Sequence, residues 1–230
     1  RALKGARVVR TGGRWKRTFR NLASGLPVCV FKRLWKRIRD TRHLEILPPG
    51  FLEYLEYEVK ANVLRVYNTN LICGLFQTEA YADTIISTTA GSCADRFVAD
   101  RMNRKAIFEQ EHPPHTFLIL DEGIIRRIIG SKEIMREQLA YLLEIGQRER
   151  TQLQIVPYSA GYYAGLTGNL TILGFSNGSD VAYTESSGEG LLLVQHDRVA
   201  LQAVTWELIQ GHTLSVEESL AMIREAMEQL

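Results

Sequence analysis

Cysteine is scarce in this chain. Cys29, Cys73 and Cys93 are the only three among 230 residues, an odd number at wide spacing. Neither a CxxC pair nor a metal-ligand spacing occurs, which excludes a zinc ribbon or a disulfide framework. Three plain thiols fit a reducing cytoplasm. No uncharged apolar run reaches the roughly 18 residues that a membrane span needs. The short signatures of catalysis and nucleotide binding are missing too: there is no HEXXH, GxSxG elbow, Walker loop or GxGxxG. Of the five histidines, His43, His112, His115, His196 and His212, no pair lies four apart on a helix. His112 and His115 flank a Pro-Pro turn and read as surface residues, so neither metal nor cofactor is expected.

Acid is nearly absent from one part of the chain. Residues 1–42 hold 14 of the 28 Lys and Arg but one of the 26 Asp and Glu, which leaves 14 basic against 25 acidic residues in the remainder. The overall charge of +2 conceals an arm of +13 and a body of −11. Such an arm sits readily in the field of a polyanion that repels the body. Arg14, Lys16, Arg17, Arg20, Lys32, Arg33, Lys36 and Arg37 are the candidate nucleic-acid contacts, with Trp15, Phe19 and Trp35 available to stack. Docking of the arm on the acidic body is the competing reading. The chain starts at Arg1 rather than Met, which points to a fragment or a processed chain.

Residues 1–25 are Gly- and Arg-rich, with too little apolar surface to offset their ordering. Phe31, Leu34, Trp35 and Ile38 then recur at helical spacing among basic residues, and Pro48-Pro49-Gly50 marks a boundary. The division expected is a basic arm with a short amphipathic helix over 1–47 and a second domain over 51–230. Within that domain the pattern predicts helices over about 51–61, 79–87, 96–111, 121–130, 131–147, 194–210 and 216–230. Asp121, Ser131 and Ser215 serve as N-caps, the last in a capping box with Glu218. Thr116–Leu120, Leu153–Ile155, Leu170–Leu173 and Val181–Tyr183 read as strands, and Asn177-Gly178-Ser179-Asp180 is a hairpin turn. Val63–Val66 reads as a short extended piece. Strands gathered in one block with helices around them give an α+β class, with a small mixed or antiparallel sheet of about four strands.

Two carboxylate sites stand out, each with an ordinary explanation beside it. Glu122 sits where a strand hands over to a helix and pairs with Arg126 at i, i+4, which helix capping alone accounts for. Glu185 ends a strand before a Gly-rich turn, as a pocket wall or a plain sheet edge. The loop around Gly165 and Gly168 either wraps a ligand or merely turns.

A series of blocks carries a resemblance. Gly74-Leu-Phe-Gln-Thr-Glu-Ala-Tyr-Ala82 resembles the "GLLQT-x-x-YA" block of a domain of unknown function that follows the helix-turn-helix in XRE-type transcriptional regulators of actinomycetes. Leu120–Gly130, Gln138–Leu143, Ile155–Gly161, Gly165–Gly168, Val181–Glu185 and Leu214–Ser219 match further blocks in the same order, and Asp100–Lys105 matches an "R-x-x-R-Q" helix loosely, with Lys105 in place of Gln. The resemblance implies a cytoplasmic regulator of development or antibiotic production, often paired with a small acidic partner protein, and here with its helix-turn-helix truncated or absent. Gln77, Glu122, Arg126, Tyr183 and Glu185, drawn from these blocks, are the candidate ligand-lining residues. The function expected is a ligand- or partner-binding regulatory domain, homodimeric, with DNA affinity residing in the arm. The alternative is a secondary-metabolism enzyme built on the same body, with Glu122, Tyr183, Glu185 and His196 as the groups to test.

Overall fold

The computed structural model describes residues 48–90, 94–186 and 189–230. The basic arm and all eight of its candidate nucleic-acid contacts lie outside the described residues. Six strands form one mixed sheet: β1 (Val63–Asn68), β2 (His115–Asp121), β3 (Thr151–Val156), β4 (Asn169–Gly174), β5 (Val181–Ser186) and β6 (Glu189–Leu193). Their order across the sheet is β3-β2-β1-β4-β5-β6. β1, β2 and β3 run parallel, and β4, β5 and β6 continue as an antiparallel meander.

Among the described residues there are seven helices: α1 (Phe51–Glu58), α2 (Glu79–Ala90), α3 (Ala94–Asn103), α4 (Glu122–Arg126), α5 (Lys132–Gly146), α6 (His196–Gln210) and α7 (Val216–Glu228). The α+β class holds, but the sheet is half as large again as the four strands expected. Parallel neighbours need a crossover, and α2–α3 and α4–α5 supply the two that join β1, β2 and β3. Val63–Val66 is thereby no isolated extended piece but the centre of the sheet.

β6 is the strand the sequence hides. Its Glu-Gly-Leu-Leu-Leu run has no period-2 alternation of polarity, and it lies at an edge where only one side pairs. The helix caps behave as the sequence dictates. Asp121 accepts from the Gly123 amide at 2.8 Å, Ser131 from Ile134 at 3.3 Å, and Ser215 and Glu218 close a reciprocal capping box.

Strand alternation sorts the core into two layers. Leu64, Val66, Leu118, Leu120, Leu153 and Ile155 face one side, against Tyr54, Ile125, Met135, Leu139, Leu142 and Ile223. Tyr67, Ile119, Val156, Ile172 and Ala182 face the other, against Val199, Trp206 and Ile209 of α6. Covering on both faces explains why Phe117–Leu120 reads as an unbroken apolar run.

The topology gathers strand ends. The carboxyl ends of β1, β2, β3 and β5 and the starts of β4 and β6 share one edge of the sheet. The chain steps outward from β1 to β2 and β3, then returns to the other side of β1. Such reversals open crevices at the carboxyl ends of strands, where ligands bind in open sheets.

Candidate ligand-binding site

At that edge, α1, α3 and the 3-10 turn Gly74–Phe76 roof a cluster of polar side chains on β1, β4, β5 and β6. The spacing in α1 puts Phe51, Tyr54 and Glu58 on one face, and Glu58 is 1% exposed. A carboxylate so buried needs a partner. Arg104 supplies it bidentately, with Nε and Nη2 donating to Glu58 at 3.0 and 2.7 Å, and the Tyr54 hydroxyl adds a third bond at 2.5 Å. The Arg104 guanidinium also lies 5.4 Å from the centre of the Phe51 ring. Burial by itself lowers Arg104, but the field of Glu58 overrides this and holds it above the usual arginine range.

Arg101, one helical turn before Arg104, is treated differently. Its Nη1 donates to Gln77 Oε1 at 2.9 Å, and Gln77 in turn donates to the Ile72 carbonyl at 2.6 Å. Among the described residues no carboxylate stands within ion-pair distance of it. Burial, and then Arg104, push Arg101 down to about 10. Gly74 makes room for the two guanidiniums: a Cβ there would lie 3.1 Å from Arg104 Nη1 and 3.3 Å from Arg101 Nε.

The floor follows from sheet register. Glu185 pairs with Asn169 on one side and Gly190 on the other. One residue beyond the Tyr67–Leu170 pair, Asn68 comes opposite Asn169. Asn68, Asn169, Glu185 and Gly190 therefore form a row on the face that the roof covers. Asn169 Oδ1 accepts from the Thr69 amide and hydroxyl at 3.0 and 3.3 Å. The Asn68 Oδ1 and Tyr183 hydroxyl atoms are buried without a hydrogen-bond partner. The Tyr183 ring lies 4.8 Å from that of Tyr54, tilted by 32°, and its hydroxyl lies over Gly190, where any side chain would collide with it. Burial raises Glu185 above the ordinary carboxylate value, although Arg101 and then Arg104 pull the other way. Burial likewise raises Cys73, which keeps that thiol protonated and unsuited to nucleophilic attack.

The family model for a domain of unknown function, DUF5753, matches residues 51–225. The chain belongs to the DUF5753 family. No curated protein and no solved structure matches it.

In this DUF5753 domain the residues singled out from sequence divide into two groups. Gln77 bonds Arg101 in the roof, and Tyr183 and Glu185 lie on the sheet face beneath it. Glu122 and Arg126 stand apart, at the end of β2, with β1 and β4 between them and β5. Glu122 accepts from the Tyr158 amide at 2.8 Å and from Arg126 Nε at 3.1 Å, and Arg126 reaches Gln229 at 2.9 Å. These bonds tie α4 to the turn after β3 and to the end of α7. Beside them the Tyr163 hydroxyl bonds Asp121 at 2.6 Å and the Tyr67 hydroxyl at 2.7 Å. Gly165 packs against Tyr67 so tightly that a Cβ would lie 2.5 Å from its hydroxyl, which seats that part of the loop on the core.

A hollow of about 450 Å³ lies near the start of β3 and is lined by Lys105, Tyr141, Arg148 and Arg150 among others. Its cations are engaged: Arg148 with Glu144 at 2.9 Å, Arg150 with the Pro113 carbonyl at 3.1 Å, and Lys105 over the Tyr141 ring at 4.4 Å.

Tyr54, Glu58, Asn68, Gly74, Arg101 and Arg104 escape a reading of the sequence as site residues. The one available signal is the Arg-x-x-Arg spacing, which places both guanidiniums on one helix face.

Proposed function

We propose that residues 51–230 are the small-molecule-binding regulatory domain of an XRE-type helix-turn-helix transcriptional regulator of the actinomycete kind, working in the cytoplasm. The polar cluster around Arg101 and Arg104 is its binding site, and the basic arm gives the chain non-specific affinity for nucleic acid. The single observation that supports this most is Arg101, a guanidinium held in a polar interior against a neutral amide. A charge so placed costs stability unless something binds it. The Asn68 oxygen and the Tyr183 hydroxyl, on the sheet face below, are buried without a hydrogen-bond partner.

The test is a thermal-shift screen of the full chain against a library of polar metabolites that spans acids, amines, sugars and nucleosides. The expected result is a compound that raises the melting temperature of the parent protein and leaves Arg101→Met unmoved. A library without any such compound, or hits indifferent to Arg101, refutes the assignment.

A further inference from the structure

α6 is apolar on two opposite sides. Val199, Trp206 and Ile209 are buried against the sheet. Leu201, Val204 and Leu208 point the other way and are 66%, 57% and 56% exposed. With Asp197 before them and Gly211 after them, they recur at alternate intervals of four and three residues. That spacing is the seam along which one helix packs on another. A helix with apolar surface all round is ordinarily covered all round, so the outward seam lacks a partner.

The character of the seam selects that partner. Val199–Trp206 carries no charge, in a body with 25 acidic and 14 basic residues, so charge recruits neither a basic nor an acidic segment to its centre. The stripe is close to symmetric about Val204, with Leu201 three residues before and Leu208 four after. Turned end for end, it presents nearly the same surface. This is what a contact between identical patches across a two-fold axis requires. The flanks agree with it. An antiparallel pair directs the exposed Asp197 of each helix toward the exposed His212 of the other, an acceptor toward a donor, and sets neither Arg198 nor Glu207 against its own kind. Ala200 and Gly211, both exposed beside the stripe, are small enough to let the helices approach closely.

We infer that the outward face of α6 is the contact between two copies of this chain, packed antiparallel across a two-fold axis that passes close to Val204. Fifteen residues make the helix about 22 Å long. A contact that short stays below the roughly 800 Å² per partner of a standard interface, so the dimer should dissociate in the micromolar range.

Sedimentation velocity on the full chain tests this. The parent protein should be dimeric near 100 μM and monomeric near 1 μM. Val204→Glu and Val204→Arg should each weaken association a hundredfold or more, because the axis sets like charges side by side. An equimolar mixture of the two variants should associate again, since unlike charges then meet. The exposure of Val204 means that both variants should keep the circular dichroism and melting temperature that the parent has as a monomer. A parent that stays monomeric near 100 μM overturns the inference. So does a dimer indifferent to both variants, or a mixture that stays monomeric. A monomeric parent that is destabilised by both variants would show the stripe covered from within its own chain, which overturns it as well.

Discussion

Arg101 lies near the end of α3 and Arg104 opens the 3-10 helix that follows it, yet their removal should have very unequal consequences for stability. Replacing Arg104 by Met strands Glu58, which is 1% exposed, with only the Tyr54 hydroxyl to bond it. Breaking a buried pair from one side costs about 3–5 kcal/mol, because the surviving charge stays in the interior. For a domain of this size, each kcal/mol moves the melting temperature by about 2–4 °C, so Arg104→Met should melt about 6–20 °C lower. Arg101→Met removes a cation that has no acid within ion-pair distance among the described residues, although Glu185 lies near enough for its field to be felt. The loss is the bond to Gln77 Oε1, worth about 1–3 kcal/mol when a buried acceptor is left alone. The gain is the relief of a desolvated charge, of similar size. The two offset, and the net change should stay within about 1 kcal/mol. Urea unfolding of the full chain followed by far-ultraviolet circular dichroism measures both variants, with equal m-values as the control for an unchanged folded state. Glu58→Leu added to Arg104→Met should recover much of the lost stability, since no buried charge then remains. If Arg101→Met is as damaging as Arg104→Met, the guanidinium at 101 is a structural brace and the binding argument fails.

Three further outcomes follow from the same structure. Burial raises Glu185, so its protonated form favours the folded state: that contribution is complete below about pH 4.5 and is lost as pH rises through the raised value. Glu185→Gln should therefore gain on the parent protein between pH 4 and neutrality in urea midpoints, and parallel profiles would contradict the placement. Gln138 is fully buried and bonds both the Thr78 amide and the Phe76 carbonyl, holding the turn that carries Gln77; Gln138→Met should cost about 2–4 kcal/mol by orphaning two buried backbone groups, and a loss under about 1 kcal/mol in the same denaturation assay would show that water replaces it. Deleting residues 1–42 should flatten the dependence of nucleic-acid affinity on salt, read as the slope of log K against log salt, whereas equal slopes for both proteins would remove the arm from the functional account.

How much of this was readable in the sequence depends on how local the cause is. Ser131, Ser215 with Glu218, and Asp121 cap their helices through contacts two or three residues away, so sequence spacing alone determines them. The β4–β5 hairpin is equally local, since its turn carries its own Asn-Gly signal and Gly178 takes a φ of 142°. β1 was legible only as an extended piece. Its place at the sheet centre is decided by β2 and β4, which lie far along the chain. β6 has no alternation to betray it. Gln77, Tyr183 and Glu185 came from blocks of resemblance; Tyr183 and Glu185 share a face of β5 by strand alternation, whereas Gln77 is placed by the turn that Gln138 holds. Arg101 and Arg104 stood out only as part of a loosely matching block, because nothing near them announces that α1 will bring a buried glutamate to Arg104. Arg126 and Glu122 illustrate the converse. Their i, i+4 spacing predicts a local pair, and a local pair bridging α4 to its neighbours is what forms.

The order in which the sheet is made differs from the order in which it is assembled. β1 emerges first from a ribosome and finds β2 after one crossover. Its opposite edge stays open until β4 has been synthesised, because Val63 pairs with Gly174 and Tyr67 with Leu170. During that interval Val63–Asn68 exposes unpaired backbone on a strand rich in valine, leucine and tyrosine, with Arg65 as its one charge. A nascent chain stalled before β4 thus presents a template for pairing with its neighbours on the same messenger. Translation rate and chaperone access across residues 69–168 should then govern the yield of functional protein more than the final stability of the fold does.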